Sequence, residues 1–99
     1  ISPIMRKINP KVWLRIKANL RVRTEHVRVG GMHTDVGDYG HTTSIYYINT
    51  NDGLTTFENG DIVKSVENRM ITFPSNLRHA GSTPSNAKAR FVINFNYFQ

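Results

Sequence analysis

The chain has 99 residues, of which 38% are hydrophobic and 20% charged, and it contains no cysteine. This size suits one small domain, and the composition is globular, which excludes disordered and fibrous proteins as well as disulfide or zinc–thiolate cross-links. No apolar run approaches the roughly 20 residues of a membrane span, and no signal-peptide pattern is present. We therefore expect a cytoplasmic or otherwise intracellular protein with no membrane partner.

The formal net charge of +6 at first suggests a nucleic-acid partner, but the charge is unevenly distributed. Residues 1–28 hold eight Lys or Arg and one acid, giving +7, whereas residues 29–99 hold five bases and six acids, giving −1. The basic character thus belongs to segment 1–28. We interpret residues 6–28 as a solvated face, or as a surface that meets a segment absent from this sequence, and regard a nucleic-acid partner as unlikely.

The predicted elements are short and extended. Residues 10–18 suit a short helix or a strand equally well, and residues 20–24 alternate apolar and basic side chains with the period of a half-buried strand. Further strands are expected at 44–49, 55–57, 62–64, 69–73 and 89–98, with a hairpin-type turn at Asn59-Gly60 and a loop at 80–86. Many short strands at close spacing indicate an all-β sandwich or barrel.

The alternation in the last predicted strand separates two faces. One face carries Arg90, Val92, Asn94 and Asn96, and the other carries Phe91, Ile93, Phe95 and Tyr97. A small structural barrel does not fill its interior with arginine and asparagine. The polar face is instead typical of a barrel that holds a polar ligand.

His33-Thr34-Asp35 is an H-x-D triplet. In an extended segment, residues two apart project to the same side, so the imidazole and the carboxylate can converge on one point. His79, which follows the predicted strand 69–73, can supply a third ligand. Two imidazoles and one carboxylate form the facial triad that suits Fe(II). The triplet alone is weakly specific, and Arg90, eleven residues after His79, strengthens the hypothesis.

Taken together, these motifs resemble the Fe(II)- and 2-oxoglutarate-dependent dioxygenases, in particular their prolyl-hydroxylase-like branch. The matching segments are H-T-D at 33–35, I-Y-Y-I-N at 45–49, D-G-L-T-T-F at 52–57, H-A-G at 79–81 and A-R-F-V-I-N-F-N-Y-F at 89–98. The resemblance implies a double-stranded β-helix, the jelly-roll or cupin-like barrel, with few or no helices. We expect residues 1–99 to form a single catalytic domain, either minimal or truncated at its N-terminus.

The resemblance also implies roles for individual residues. The expected iron ligands are His33, Asp35 and His79, and the expected 2-oxoglutarate ligands are Arg90, Tyr47 and Asn94. The guanidinium would pair with the distal carboxylate, whose shape it matches, and the tyrosine hydroxyl would donate to the same group. The implied reaction uses O2 to hydroxylate an unactivated C–H bond, for example in a peptidyl proline. It converts 2-oxoglutarate to succinate and CO2, with ascorbate as an optional cofactor.

Two alternatives stay open. The first is a non-catalytic jelly-roll module that binds nucleic acid through its basic segment 1–28. The second is a cupin-like enzyme with another metal, which H-x-D in place of H-x-H and the presence of Arg90 disfavour. The substrate is not identified by the sequence and could be a peptide or a small molecule.

Several other residues receive simpler interpretations. His26 and His41 are interpreted as bystanders, and Asn19 and Arg21 as residues near the ligand whose role is open. The aromatic face of the last strand could be covered by a second copy of the chain, which would make the protein a homodimer.

Overall fold

The computed structural model describes residues 12–35 and 39–99, and these form an all-β domain without helices. The strands are β1 (Val12–Val22), β2 (Thr42–Tyr47), β3 (Leu54–Phe57), β4 (Ile62–Lys64), β5 (Met70–Pro74), β6 (His79–Gly81) and β7 (Ala89–Phe98). The predicted all-β class is confirmed. The start of the predicted basic segment, residues 1–11, lies outside the described residues.

The strands form two antiparallel sheets. The larger sheet has the order β1-β7-β2-β5, and the smaller has the order β4-β3-β6. Isolated bridges from Val29 to Ser82 and from His33 to His79 align residues 29–33 with the region of β6. This long-range pairing brings the H-x-D triplet beside the second predicted histidine ligand.

Three predicted elements differ from the observed ones. Residues 10–18 were open to a helix, but residues 12–22 form one strand, β1, which pairs with β7 along its length. β2 begins and ends two residues earlier than predicted, and Asn49 instead bonds the backbone of β7 with its side chain. The predicted loop at 80–86 is wrong at its start, because Ala80 and Gly81 pair with β3.

The β3–β4 hairpin matches its sequence signal. Asn59-Gly60 lies between the two strands, and Gly60 has a φ of 95°, which an L side chain rarely adopts. The Asn59 side chain accepts a hydrogen bond from the backbone of Asp61. The turn thus sets the register of a hairpin whose β3 strand carries site residues.

The hydrophobic core lies between the sheets. It consists of Ile45, Tyr47, Phe57, Phe73 and Val92, all less than 8% exposed. Phe57 and Phe73 from opposite sheets meet edge to face, with ring centroids 4.9 Å apart. This cluster holds the two sheets together and borders the site, since Ile45 and Val92 line the same cavity as the site residues.

The outer face of the β1–β7 pair is apolar. Trp13 packs against Phe95 and Tyr97, whereas Leu20, Val22 and other side chains along the same face are exposed. The predicted aromatic face of β7 is therefore buried at one end only, because Phe91 is 39% exposed. Within residues 12–35 and 39–99, no helix is long and apolar enough to cross a membrane.

Candidate metal centre and its cavity

Two histidines from distant parts of the sequence meet at the edge of the smaller sheet. The backbones of His33 and His79 exchange two hydrogen bonds, of 2.9 and 3.0 Å, in an antiparallel bridge. Directly paired residues project their side chains to the same face. The two imidazole rings accordingly lie side by side, with centroids 4.8 Å apart.

Asp35 completes a group of three potential metal ligands. Its Oδ1 lies 3.1 Å from Nε2 of His33 and 3.5 Å from Nε2 of His79. One donor atom from each of the three residues lies within 4.8 Å of the other two. We call this group, His33, Asp35 and His79, the triad. Its donors converge as the H-x-D spacing predicts, and it could bind a metal ion.

The hydrogen bonds of the imidazoles favour metal binding through Nε2. In His33, Nδ1 lies 3.0 Å from the carbonyl oxygen of Gly31, and in His79 it lies 3.3 Å from that of Leu77. A carbonyl only accepts, so Nδ1 carries the proton and Nε2 keeps its lone pair. The Nε2 of His79 is buried and has no hydrogen-bond partner within the described residues. An orphaned imidazole nitrogen beside a carboxylate fits a divalent metal.

The surroundings of Asp35 keep it in the form that binds metals. Burial by itself raises the pKa of this carboxyl, but the neighbouring imidazoles and the amide of Asn94 outweigh burial and lower the pKa below its usual value. The carboxylate is therefore ionised at neutral pH.

Asn94 of β7 supports the triad directly. Its Nδ2 donates to Oδ2 of Asp35 over 3.1 Å, while its Oδ1 is buried without a partner in the described part of the chain. The predicted role of Asn94 toward 2-oxoglutarate stays a prediction. Its observed contact positions the carboxylate.

Replacing Asn94 with alanine is expected to weaken metal binding by about 10- to 100-fold, as is typical when the partner of a metal ligand is removed. Competition of the purified protein with a metal-binding dye measures the change. Asn96→Ala is the matched control, because Asn96 occupies the same face but bonds Thr43 instead. Equal metal affinity in Asn94→Ala and the wild type would contradict the positioning role.

Arg90 is a buried cation at the start of β7. Only 3% of it is exposed, its Nε donates to Ser65 over 2.9 Å, and one terminal nitrogen donates to Thr55 over 2.9 Å. No carboxylate pairs with it in residues 12–35 and 39–99, where both ion pairs involve Asp35. Burial lowers the pKa of the guanidinium. A buried charge without a counter-charge is costly, which indicates that the site is built for an anion.

Tyr47 lies behind Arg90 and outside the wall of the cavity. Its hydroxyl shares a 2.7 Å hydrogen bond with Thr55, and the guanidinium lies 5.6 Å from the centre of its ring. Thr55 therefore stands between the tyrosine and the cavity, which it lines. Its role was not predicted, although the D-G-L-T-T-F segment contains it. Direct donation from Tyr47 to 2-oxoglutarate stays a prediction.

Two glycines make room for the guanidinium. A Cβ on Gly53 would lie 2.6 Å from Cδ of Arg90 and 2.6 Å from Oδ1 of Asn51, and one on Gly81 would lie 3.1 Å from a terminal nitrogen of Arg90. The first distance is too short for any real contact. The backbone at residue 53 thus fixes the path of the arginine side chain.

Gly53→Ala is expected to destabilise the fold by about 1–3 kcal/mol, because the added methyl overpacks a buried site. It should also displace Arg90 and weaken anion binding. Urea unfolding gives the first effect. Gly31→Ala is the control, since a Cβ there meets no atom within 4 Å. Equal free energies of unfolding for the two variants would show that the structure around residue 53 accommodates a Cβ without loss of stability.

The triad and Arg90 face one cavity of about 290 Å³. Strand β1 contributes Arg15, Lys17, Asn19 and Arg21 to its wall. The interpretation of residues 6–28 as a solvated face holds for Lys17, which is exposed, but not for Arg15 and Arg21, which are half-buried in the cavity wall. A β-bulge between Trp13 and Arg15 sets their register, after which every second side chain faces the cavity. We call Arg15, Lys17 and Arg21 the basic row.

The two other histidines lie apart from the triad. His26 is exposed, and His41 is buried between the rings of Tyr39 and Phe98. Neither lines the cavity that holds the triad.

Comparison with known proteins identifies the fold. No protein-family model and no curated protein matches the chain. A cupin protein from Bacteroides fragilis superposes with a TM-score of 0.60 at 8% identity, over 84% of this chain and 64% of that one. An RmlC-like cupin protein from Desulfovibrio desulfuricans superposes with a TM-score of 0.54 at 10% identity, over 84% of this chain and 82% of that one. A cupin domain from Bordetella pertussis superposes with a TM-score of 0.52 at 14% identity, over 85% of this chain and 94% of that one.

The chain therefore has the cupin jelly-roll fold, and the predicted cupin-like barrel is confirmed. At such low identities the likeness shows the fold alone, and one fold carries many functions. None of these likenesses points to the prolyl-hydroxylase-like branch. Function has to be argued from the triad, Arg90 and the cavity between them.

Proposed function

We propose that this protein is an Fe(II)- and 2-oxoglutarate-dependent oxygenase that hydroxylates an unactivated C–H bond. The observation that carries the proposal is the cavity itself, which is lined both by the triad and by a buried arginine without a carboxylate partner among the described residues. A metal site explains the triad, and a ligand with a carboxylate explains Arg90. 2-Oxoglutarate has a metal-chelating end and a distal carboxylate.

The residues of the triad would hold Fe(II) through the two Nε2 atoms and the carboxylate of Asp35. The bound iron supplies the activation of O2 and the oxidation of the substrate, and 2-oxoglutarate supplies the electrons as it loses CO2 to become succinate. The carbonyls that accept from Nδ1 of His33 and His79 keep both rings oriented. Asn94 restrains the carboxylate. The chain thus provides a rigid ligand set rather than an acid or a base.

Arg90 would bind the distal carboxylate of 2-oxoglutarate. The strand register puts Arg21 of β1 directly opposite Arg90 of β7, and both side chains reach the cavity. Like charges placed directly opposite each other repel, and an anion between them removes the repulsion. Arg21 is therefore a second candidate for the cosubstrate carboxylate, nearer to the cavity than the hydroxyl of Tyr47.

The position of the cations weakens the alternative of a nucleic-acid-binding module. Arg15 and Arg21 are half-buried in the wall of a cavity that also contains the triad, and only Lys17 of the basic row is exposed, whereas a nucleic acid needs its cations on an accessible outer surface. A cupin-like enzyme with a different metal differs from our proposal only in the metal ion and in the ligand that binds beside it. The experiment below separates the two.

Anaerobic addition of Fe(II) and 2-oxoglutarate is expected to produce the weak visible charge-transfer band of the iron chelate. In air, the same mixture should slowly convert 2-oxoglutarate to succinate, which mass spectrometry detects, and ascorbate should prolong the turnover. Mn(II), Zn(II) and Ni(II) serve as comparison metals. No band and no succinate with iron would contradict the proposal.

A further inference from the structure

The two remaining cations of the basic row lie beside the triad rather than beside Arg90. In the β1–β7 register, Lys17 is paired with Asn94, whose amide contacts Asp35, and Arg15 is paired with Asn96. Side chains of directly paired residues share a face. Lys17 therefore projects from β1 next to the residue that supports the metal ligand.

The described residues provide no counter-charge for this pair of cations. Both ion pairs in residues 12–35 and 39–99 involve Asp35 with the triad histidines. The Nε of Arg15 is buried and has no hydrogen-bond partner among those residues. Asp35 is also the one carboxylate in the described cavity wall, and it belongs to the triad. Arg15, whose side chain is half-buried, thus resembles Arg90 in lacking an anionic partner among the described residues, and Lys17 lies exposed beside it.

The position of Lys17 separates this pair from the proposed cosubstrate site. Lys17 precedes Arg21 by four residues, which is roughly 13 Å along a strand. Arg90 and Asn94 are separated by the same interval on β7. The cavity therefore has a cationic end formed by Arg21 and Arg90, the triad region near Asn94 and Lys17, and a further cation at Arg15. One short dicarboxylate between the iron and Arg90 leaves the half-buried Arg15 without an anionic partner among the described residues.

We propose that Arg15 and Lys17 bind an anionic group, a carboxylate or a phosphate, of the molecule that this protein oxidises. The assignment as a substrate site rests on the proposed function, whereas the anion site itself does not. A cavity of about 290 Å³ is at the small end of ligand pockets, which favours a small anionic molecule over a folded or polymeric partner. The substrate class is thus an anionic small molecule rather than a neutral peptidyl proline.

Titration of the ¹⁵N-labelled protein with inorganic phosphate and with acetate tests the anion site without iron. Saturable shifts of the Arg15 Nε–H signal and of the Lys17 amide are expected. They should persist with Zn(II) and 2-oxoglutarate present, and Arg15→Gln with Lys17→Gln should weaken phosphate binding by about ten-fold or more. Arg23→Gln with Lys88→Gln, which removes two exposed cations outside the cavity, is the matched control.

Three outcomes would overturn the anion site. These are the absence of a saturable shift, equal binding by the Arg15/Lys17 variant and the control, and complete displacement of phosphate by 2-oxoglutarate. The last result would place the anion at Arg21 and Arg90 instead.

Matched candidate substrates test the second half of the proposal. Carboxylic acids are compared with their amides, and phosphate esters with the parent alcohols, as stimulants of Fe(II)-dependent 2-oxoglutarate consumption. Stimulation by the acids or esters alone, lost in the Arg15/Lys17 variant and kept in the Arg23/Lys88 control, supports the substrate class. Equal stimulation by the neutral compounds overturns it. If the wild type consumes no 2-oxoglutarate under any condition, the proposed function fails, and the phosphate titration still decides whether the anion site exists.

Discussion

Asp35→Ala is expected to abolish iron-dependent turnover of 2-oxoglutarate and the visible band of the anaerobic complex. The substitution removes the charged donor of the triad and leaves two neutral imidazoles, which bind a divalent ion much more weakly. The loss of metal affinity should exceed the roughly 10- to 100-fold expected for a residue that only supports a ligand, such as Asn94. Dye competition, the band and succinate production measure the three effects.

The control for this substitution is Asp61→Ala, which removes an exposed carboxylate outside the cavity. It should bind iron and produce succinate as the wild type does. Stability provides a second check, because Asp35→Ala also removes the acceptor of the Asn94 amide. Unfolding by urea therefore accompanies the metal measurements, and a variant that is folded yet inactive isolates the ligand role. Undiminished metal affinity in a folded Asp35→Ala would show that the triad is not a metal site.

Several residues of the site could be predicted from local sequence patterns. The side chains of an H-x-D triplet converge because residues two apart on an extended chain project to the same side. The same alternation along β7 places Arg90 and Asn94 on one face of the strand. Neither inference needs knowledge of the distant contacts. Both could therefore be made from the residues alone, as could the Asn59-Gly60 hairpin.

The part of the cavity wall that β1 forms could not be predicted in the same way. Whether Arg15, Lys17 and Arg21 face the interior or the solvent depends on the register of β1 against β7, and a slip of one residue reverses every side chain. A bulge near Arg15 sets that register. Because cations usually face water, we expected the basic side chains of β1 to be solvated, but Arg15 and Arg21 are half-buried and only Lys17 is exposed. The apolar Leu20 and Val22 are exposed on the other face. The supports of Arg90 were missed because they depend on how the two sheets pack: Thr55 belongs to β3 of the smaller sheet, Ser65 follows β4, and both contact an arginine of the larger sheet.

Arg90→Met is expected to abolish the binding of 2-oxoglutarate while leaving the stability of the unliganded protein nearly unchanged. In the wild type, 2-oxoglutarate at 100 times its Kd, with Mn(II) in place of iron, should stabilise the fold by about 2.7 kcal/mol. For a domain of this size that corresponds to a rise in Tm of roughly 10–20 °C. The variant should show little or no rise, because methionine fills the same space without a charge to pair with the distal carboxylate.

The unliganded variant should be about as stable as the unliganded wild type, within about 1 kcal/mol. Methionine leaves Ser65 without its donor, which costs about 1–3 kcal/mol, but it also removes a buried charge that lacks a carboxylate partner among the described residues. Arg69→Met, which removes an exposed arginine, is the control and should keep the full ligand-induced rise. Thermal unfolding of all three proteins, each with and without 2-oxoglutarate, measures both effects.

The two readouts distinguish a ligand-binding arginine from a structural one. If Arg90 only braces Ser65 and Thr55, its loss should lower stability by several kcal/mol and leave the 2-oxoglutarate effect intact. If Arg90 binds the cosubstrate, its loss should leave the stability of the unliganded protein nearly unchanged and abolish the stabilisation by 2-oxoglutarate. A full rise in Tm for Arg90→Met would place the distal carboxylate elsewhere, with Arg21 as the nearest candidate.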